Sequence, residues 1–277
     1  MESKRLSVII AAYNAADTIE RCINSVFDGL GEDTVRHIEV ITVDDGSTDA
    51  TAEIATGFKD RIKLIRLPEN GGSVAKTRNI GLAAASGEYI TFLDADDCYE
   101  TGTVEKLFGY IDKFKPDIIR YGCTLVYPDT ADKIPNYNPN DVLFVKKAAF
   151  KSEIYPLFIK GIKLNSVCLA AFRRNIVRGS QFPEEFRTAE DAAFALDVYS
   201  KSESVLFVPD IFYRYTQSGG GLTGSKLRIA EKFKYNFMLV PLMLSRLPDW
   251  GMDTIRWKIK TIMRPFFLTA DKIKRMK

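Results

Sequence analysis

Glu88-Tyr89-Ile90-Thr91-Phe92-Leu93-Asp94-Ala95-Asp96-Asp97 decides the fold. Tyr89 to Leu93 are β-branched, aromatic or apolar, the composition of a buried strand. Three carboxylates in four positions follow. An unpaired buried carboxylate is costly, so the strand is expected to end there and release its acids into a cleft. In an open α/β sheet, ligands sit at the carboxyl ends of strands. Clustered hard oxygens suit Mg²⁺ or Mn²⁺, above all a cation that shares phosphate oxygens. Read alone, Asp-Ala-Asp-Asp is better taken as an ordinary solvated turn with an Asp capping the next helix.

The segments upstream tip that balance. Leu6 to Ala12 reads as a buried first strand ending in Tyr13-Asn14, and Asp17-x-x-Glu20 has the spacing of a capping box. Ile19, Cys22, Ile23, Val26, Phe27 and Leu30 follow at helical spacing. Ile38 to Val43 forms a second strand that also runs into acids, Asp44-Asp45-Gly46-Ser47-Thr48-Asp49. A helix over 50–58, a strand over 62–65, the turn Pro68-Glu69-Asn70-Gly71-Gly72 and a helix over 73–85 lead to the opening strand. Alternating strands and helices imply crossovers and a mostly parallel central sheet flanked by helices. Parallel strands end on one edge, so Asp44 and Asp45 should line the same crevice as Asp94 and Asp96.

Four motifs in this order, Ser7 to Asn14, Val43 to Asp49, Asn70-Gly71-Gly72 with Ala75 to Gly81, and Gly87 to Asp97, resemble glycosyltransferase family 2. The resemblance implies an inverting, metal-dependent enzyme with the Rossmann-like GT-A fold. It puts Ala11, Tyr13, Asn14, Asp44, Asp45, Arg78, Asn79, Asp94 and Ala95 around the nucleotide, with Tyr13 against a pyrimidine and Asp44 or Asp45 accepting from uracil N3–H. Arg78 would meet phosphate or base with its forked guanidinium; a solvated helix face is the plainer reading. Asp94 and Asp96 match the family's Asp-x-Asp motif, Asp96 being the direct ligand of Mn²⁺ or Mg²⁺. Ala11-Ala12 stands where many relatives have Pro, and Tyr215-Thr216-Gln217 where many have a histidine ligand.

The second half is less regular. A helix over 103–115, a strand over 117–127, a polar loop over 128–139, a helix over 148–159 and a strand over 167–172 are expected. Thr188 precedes Asp191 by three residues, which suits a helix start, and Glu190-Asp191 reads as two acids at a helix N-terminus. Against the family, Glu-Asp-x-x-Phe resembles the general-base motif, with Asp191 as base and Glu190 holding geometry or touching the acceptor. Val205–Val208 and Ile211–Tyr215 read as two strands, and the glycine-rich Ser218–Ser225 as either a lid or a linker. From Leu227 the chain is helical, and basic beyond Asp249, with Pro265 expected to kink or break the helix. That segment is either a hairpin with a solvated basic face or an amphipathic stretch on an anionic membrane.

The chain has 277 residues, 46% apolar and 27% charged, with net charge +3, four dispersed cysteines and one histidine, His37. These describe an ordinary globular protein with reduced thiols, and exclude histidine triads and multi-imidazole metal sites. The N-terminus enters a strand directly, so a cytoplasmic protein without a signal peptide is expected, peripheral on the inner face of the cell membrane if the tail binds lipid. No apolar run approaches the roughly 20 residues that span a bilayer. Three parts are expected: a nucleotide-sugar-binding half over 1–100, an acceptor-binding half with the catalytic base over 101–224, and a basic helical extension over 225–277. The function implied is transfer of a sugar, UDP-linked, to a glycan or lipid-linked acceptor in surface polysaccharide synthesis. The alternatives are a non-catalytic nucleotide-sugar-binding or scaffold protein of the same fold and a nucleotidyltransferase, the latter without an early phosphate loop. Nucleic acid is not an expected partner, since only the tail is basic.

Overall fold

A computed structural model of the chain describes residues 3–127, 131–132, 140–159, 164–186, 189–216 and 229–275. Thr188, the 218–225 stretch and most of the 128–139 loop lie outside these.

The first half alternates as its sequence demands: β1 (Leu6–Ala12), α1 (Ile19–Phe27), α2 (Glu32–Arg36), β2 (Ile38–Asp44), α3 (Thr51–Thr56), β3 (Lys63–Arg66), α4 (Val74–Ala84) and β4 (Tyr89–Asp94). The second half is β5 (Cys98–Tyr99), α5 (Thr103–Phe114), β6 (Ile118–Val126), β7 (Leu143–Lys146), α6 (Phe150–Glu153), α7 (Tyr155–Ile159), β8 (Ala170–Arg173), α8 (Arg174–Val177), α9 (Glu190–Lys201), β9 (Ser204–Thr216), α10 (Ile229–Arg246) and α11 (Ile255–Arg275).

One sheet runs β3-β2-β1-β4-β8-β6-β9-β5, with β7 paired to β9. β1 to β4 pair in parallel; β8 is antiparallel to both β4 and β6, and β6 is parallel to β9. β1, β2, β3, β4, β6 and β9 therefore share a direction, and the sheet is mostly parallel. Helix α4 lies close on β1: a Cβ at Gly81 would sit 2.3 Å from Ile9 Cγ2. Its N-cap, Ser73, accepts the Ala75 N–H at 3.2 Å, satisfying one of the helix's free donors.

Several expectations change. The Asp17-x-x-Glu20 capping box does not form, because α1 starts at Ile19 with no side-chain cap. The chain before it is tied instead to the neighbouring turn, Ala15 N donating to Thr51 Oγ1 at 2.7 Å and Ala16 N to Asp49 Oδ2 at 3.1 Å. The helix expected over 148–159 is broken into a short 3-10 turn, α6 and α7. The strand expected over 167–172 begins as a 3-10 turn, Val167–Leu169, before β8. The two strands around Pro209-Asp210 are one, β9, whose pairing with β6 shifts register between Arg120 and Gly122 and again before Cys123. A bulge accommodates the proline, which has no N–H for the ladder.

Pro265 lies inside the continuous span of α11 and does not break it. Over its described side chains, residues 255–266, the outer face of α11 is not uniformly basic. Arg264 is buried, its Nε donating to Phe158 O at 2.9 Å and its Nη1 to Asn236 Oδ1 at 2.9 Å. Ile255, Ile259, Ile262, Met263 and Phe266 are exposed instead. No helix among the described residues is long and apolar enough to cross a membrane.

Candidate active site

Three parallel strands end side by side. Ala12 of β1 is paired with Asp44 of β2, and Ala11 with Asp94 of β4, so both acid clusters sit at one sheet edge, flanking the end of β1. Sequence reasoning from parallel strands brings these groups together, and the geometry does so.

On the β2 side the carboxylates hold the loops. Asp44 is fully buried, accepting the Ser47 N–H at 3.2 Å on Oδ1, with Arg66 Nε 3.5 Å from Oδ2. Asp45 Oδ1 accepts the Gly71 N–H at 3.0 Å, which docks the 70–72 turn beside the 44–49 turn. Gly46 has φ +68°, and a Cβ there would lie 2.4 Å from the Glu69 carbonyl carbon, so only glycine fits. Asn14, at φ +47°, accepts the Thr48 N–H at 2.9 Å through Oδ1. Tyr13, 49% exposed, precedes Asn14 beside the 44–49 turn. Ala11 is half-buried and Ala95 buried.

The Asp94–Asp97 turn divides its acids. Asp94 is about one-third exposed (32%). Burial, and then the charge of Asp94, push the Asp96 carboxyl above its ordinary range. Asp97 corrects the expectation that these acids all leave the core. It is fully buried, with Tyr213 OH donating to Oδ2 at 2.6 Å and Thr216 N to Oδ1 at 2.7 Å. Burial, then Asp94, raises it to about 8, and from the core it braces the turn against β9.

Arg78 is the hub. It projects from α4, nearly buried, and its two arms reach different carboxylates: Nη2 donates to Asp94 Oδ1 at 2.7 Å and Nη1 to Asp191 Oδ1 at 2.7 Å. Glu190 Oε1 is 3.5 Å from Nη1, and the guanidinium carbon lies 5.6 Å from the centre of the Phe182 ring. The fork expected for a phosphate or base is thus closed on protein carboxylates, and the solvated-face reading of Arg78 does not apply.

Glu190 and Asp191 open α9, preceded by Ala189 at φ +74°, a conformation that costs a non-glycine residue about 1 kcal/mol. Burial, then Asp191, raises Glu190 to about 7, and its Oε2 is buried without a hydrogen bond. Burial also raises Asp191, while the Arg78 charge and the Val167 N–H pull it back. Asn79, next to Arg78, faces elsewhere: its Nδ2 donates to Phe182 O at 2.9 Å and its Oδ1 accepts from Phe182 N at 2.8 Å.

Sequence reasoning missed three participants. Arg21 donates to Asp96 O at 2.9 Å, Tyr213 receives the Asp94 N–H at 3.3 Å and holds Asp97, and Phe182 lies under Arg78. Only the alternation of β9 hinted that Tyr213 points inward.

Among the described residues no three metal-ligating side chains converge. Asp94 and Asp96 nevertheless fit a divalent cation that takes the rest of its shell from phosphate oxygens. They are adjacent and mutually repelling, and the Asp96 carboxylate accepts no side-chain hydrogen bond among the described residues.

The model for Glycosyl transferase family 2 matches residues 7–179. The cholesterol galactosyltransferase of Borreliella burgdorferi is 25% identical over 256 residues, 87% of this chain and 68% of its own. The poly(ribitol-phosphate) β-N-acetylglucosaminyltransferase TarS of Staphylococcus aureus is 26% identical over 239 residues, 84% of this chain but only 39% of its own. Among solved structures, TarS residues 1–349 with UDP-GlcNAc superposes with a TM-score of 0.75 at 22% identity, covering 95% of this chain and 71% of that one. That likeness assigns the GT-A fold. The family match takes in β1, both acid turns and α4 with Arg78 but stops short of Glu190-Asp191, which Arg78 joins to it. An acid-lined edge of a GT-A sheet, matched from Ser7 onward, makes the chain a member of glycosyltransferase family 2.

Proposed function

We propose that the protein transfers a sugar from a nucleoside diphosphate donor, UDP-linked, to a glycan or lipid-linked acceptor in surface polysaccharide synthesis, inverting the anomeric centre in a single displacement. The observation that carries this is Arg78, which holds the donor-side Asp94 and the α9 Asp191 on one guanidinium. An in-line displacement needs such neighbours, an acid edge for the leaving diphosphate and a carboxylate opposite it. Residues 1–100 supply the first and 101–224 the second.

Tyr13 offers a half-exposed ring for the base, and the 44–49 turn a rim for the nucleoside. Asp94 and Asp96 would hold Mn²⁺ or Mg²⁺, which when bound supplies positive charge for the leaving diphosphate. Asp191 takes the acceptor hydroxyl proton, the Arg78 charge opposing the upward pull of burial on its carboxyl. Glu190 orients that hydroxyl, and Asn79 fixes the 181–184 segment behind it. The relatives support a surface-glycan role, one named for cholesterol and one for poly(ribitol-phosphate). The 225–277 extension brings the enzyme to the inner face of the cell membrane through the exposed apolar stripe of α11 and its cations.

The test is UDP release from a panel of UDP-sugars with the full chain and mixed glycan and lipid acceptors. Turnover should fall about a thousandfold in Asp191→Asn while UDP binding persists. Bound UDP with no turnover on any donor would favour the non-catalytic sugar-nucleotide-binding alternative.

A further inference from the structure

A second cavity lies at the other end of β4. It is an open cleft of about 910 Å³ between the last turns of α4, the start of β4, α8 and the 178–181 segment. Ile90 lines it, whereas Asp94 ends the same strand at the carboxylate edge four residues on, about 13 Å away at strand rise. The volume is that of a small-molecule site.

Its wall has two chemistries. Leu82, Ala83, Ala85, Ile90 and Val177 give an apolar floor and side. Arg173, Arg174 and Arg178 bring three guanidiniums, against one acid, Glu88. Arg173 is engaged, donating to Tyr89 OH at 2.9 Å and to Lys115 O at 2.7 Å. Arg174 and Arg178 are exposed, four residues apart on either end of α8, and neither guanidinium has an ion pair or hydrogen bond among the described residues. Nor does Glu88 neutralise them; its contact with Arg174 is through the backbone, Arg174 N to Glu88 O at 2.7 Å. Two unpaired forks at the rim of an apolar cavity match a ligand with a phosphate head and an aliphatic body.

We infer that this cavity is a binding site for a phosphate-bearing amphiphile, separate from the nucleotide edge. Arg174 and Arg178 grip the phosphate and the α4 side takes the chain. The site goes beyond the proposed transfer reaction and does not depend on it. Asn79, one of its lining residues, follows Arg78 in the chain and clamps Phe182 through both its amide atoms.

The test is calorimetric titration of the full chain with decyl phosphate below its micellar concentration, with inorganic phosphate and decanol in parallel. Saturable one-to-one binding is expected, at least about tenfold weaker in Arg174→Glu/Arg178→Glu, where charge-assisted bonds are lost. Ala83→Trp, which fills the cavity from an exposed helix position and keeps both arginines, should weaken it as well. Inorganic phosphate and decanol should each bind at least about tenfold more weakly, lacking one half of the ligand. An unchanged Tm in the variants would confirm that they fold. Equal binding of decyl phosphate to wild type and variants, its displacement by UDP, no saturable binding, or inorganic phosphate binding as tightly would each overturn the inference.

Discussion

Arg78 is nearly buried among three carboxylates, and the balance of charge there is two-sided. Removing it leaves Asp94, Glu190 and Asp191 facing one another with no cation between. Arg78→Ala should therefore cost about 3 kcal/mol of unfolding free energy in urea denaturation. A loss within about 0.5 kcal/mol, the range of ordinary surface substitutions, would mean that the acids hold one another apart without it. Glu190 gives a pH signature. Its folded value, about 7, is raised above the ordinary 4.5, so the folded state favours the protonated form. That contribution is complete at low pH and lost as pH rises through 7. Wild type should thus lose stability relative to Glu190→Gln between pH 5 and 8, by up to about 3 kcal/mol. A gap that stays constant with pH would contradict the raised value. At this scale residue types were legible and their partners were not. Asp44, Asp45, Asp94 and Asp96 could be gathered from strand ends alone, whereas the closure of Arg78 on Asp94 and Asp191 spans 113 positions and is visible only in three dimensions.

Elements with a strong period were legible and those with tertiary partners were not. β1, β2, β4 and α4 run within a residue or two of their apolar runs. The capping box failed because the side chains of Asp49 and Thr51 tether the residues ahead of α1. β9 looked like two strands because Pro209 interrupts the run, and a bulge absorbs it. In α11 the alternation of apolar and basic residues was clear, but which face is inward was not. Trp257, Thr261 and Arg264 pack inward, Thr261 against Tyr155 OH, while Ile259, Ile262 and Phe266 point out. A stripe of large apolar side chains beside Arg256 and Lys260 is the pattern of an interfacial helix. Ile259→Glu/Ile262→Glu should weaken sedimentation with phosphatidylglycerol vesicles about tenfold or more and leave Tm unchanged, since both positions are exposed. Undiminished vesicle binding would remove the membrane from the proposal.

For the whole molecule, the fold class followed from alternation, since six strands that share a direction need crossover helices. The antiparallel insertion of β8 between β4 and β6 did not, because nothing local in Ala170–Arg173 specifies its neighbours. That insertion carries the chain from the donor side to α8 and, through the 178–186 segment, to α9, whose first residues then meet α4 across the cleft. The central claim is that this edge binds a nucleoside diphosphate with a cation on Asp94 and Asp96. Calorimetric titration of UDP into wild type and Asp96→Ala, with and without Mn²⁺, tests it most directly. Mn²⁺-dependent binding in wild type that is lost in Asp96→Ala is the predicted result; UDP binding that ignores both Mn²⁺ and the substitution would contradict it.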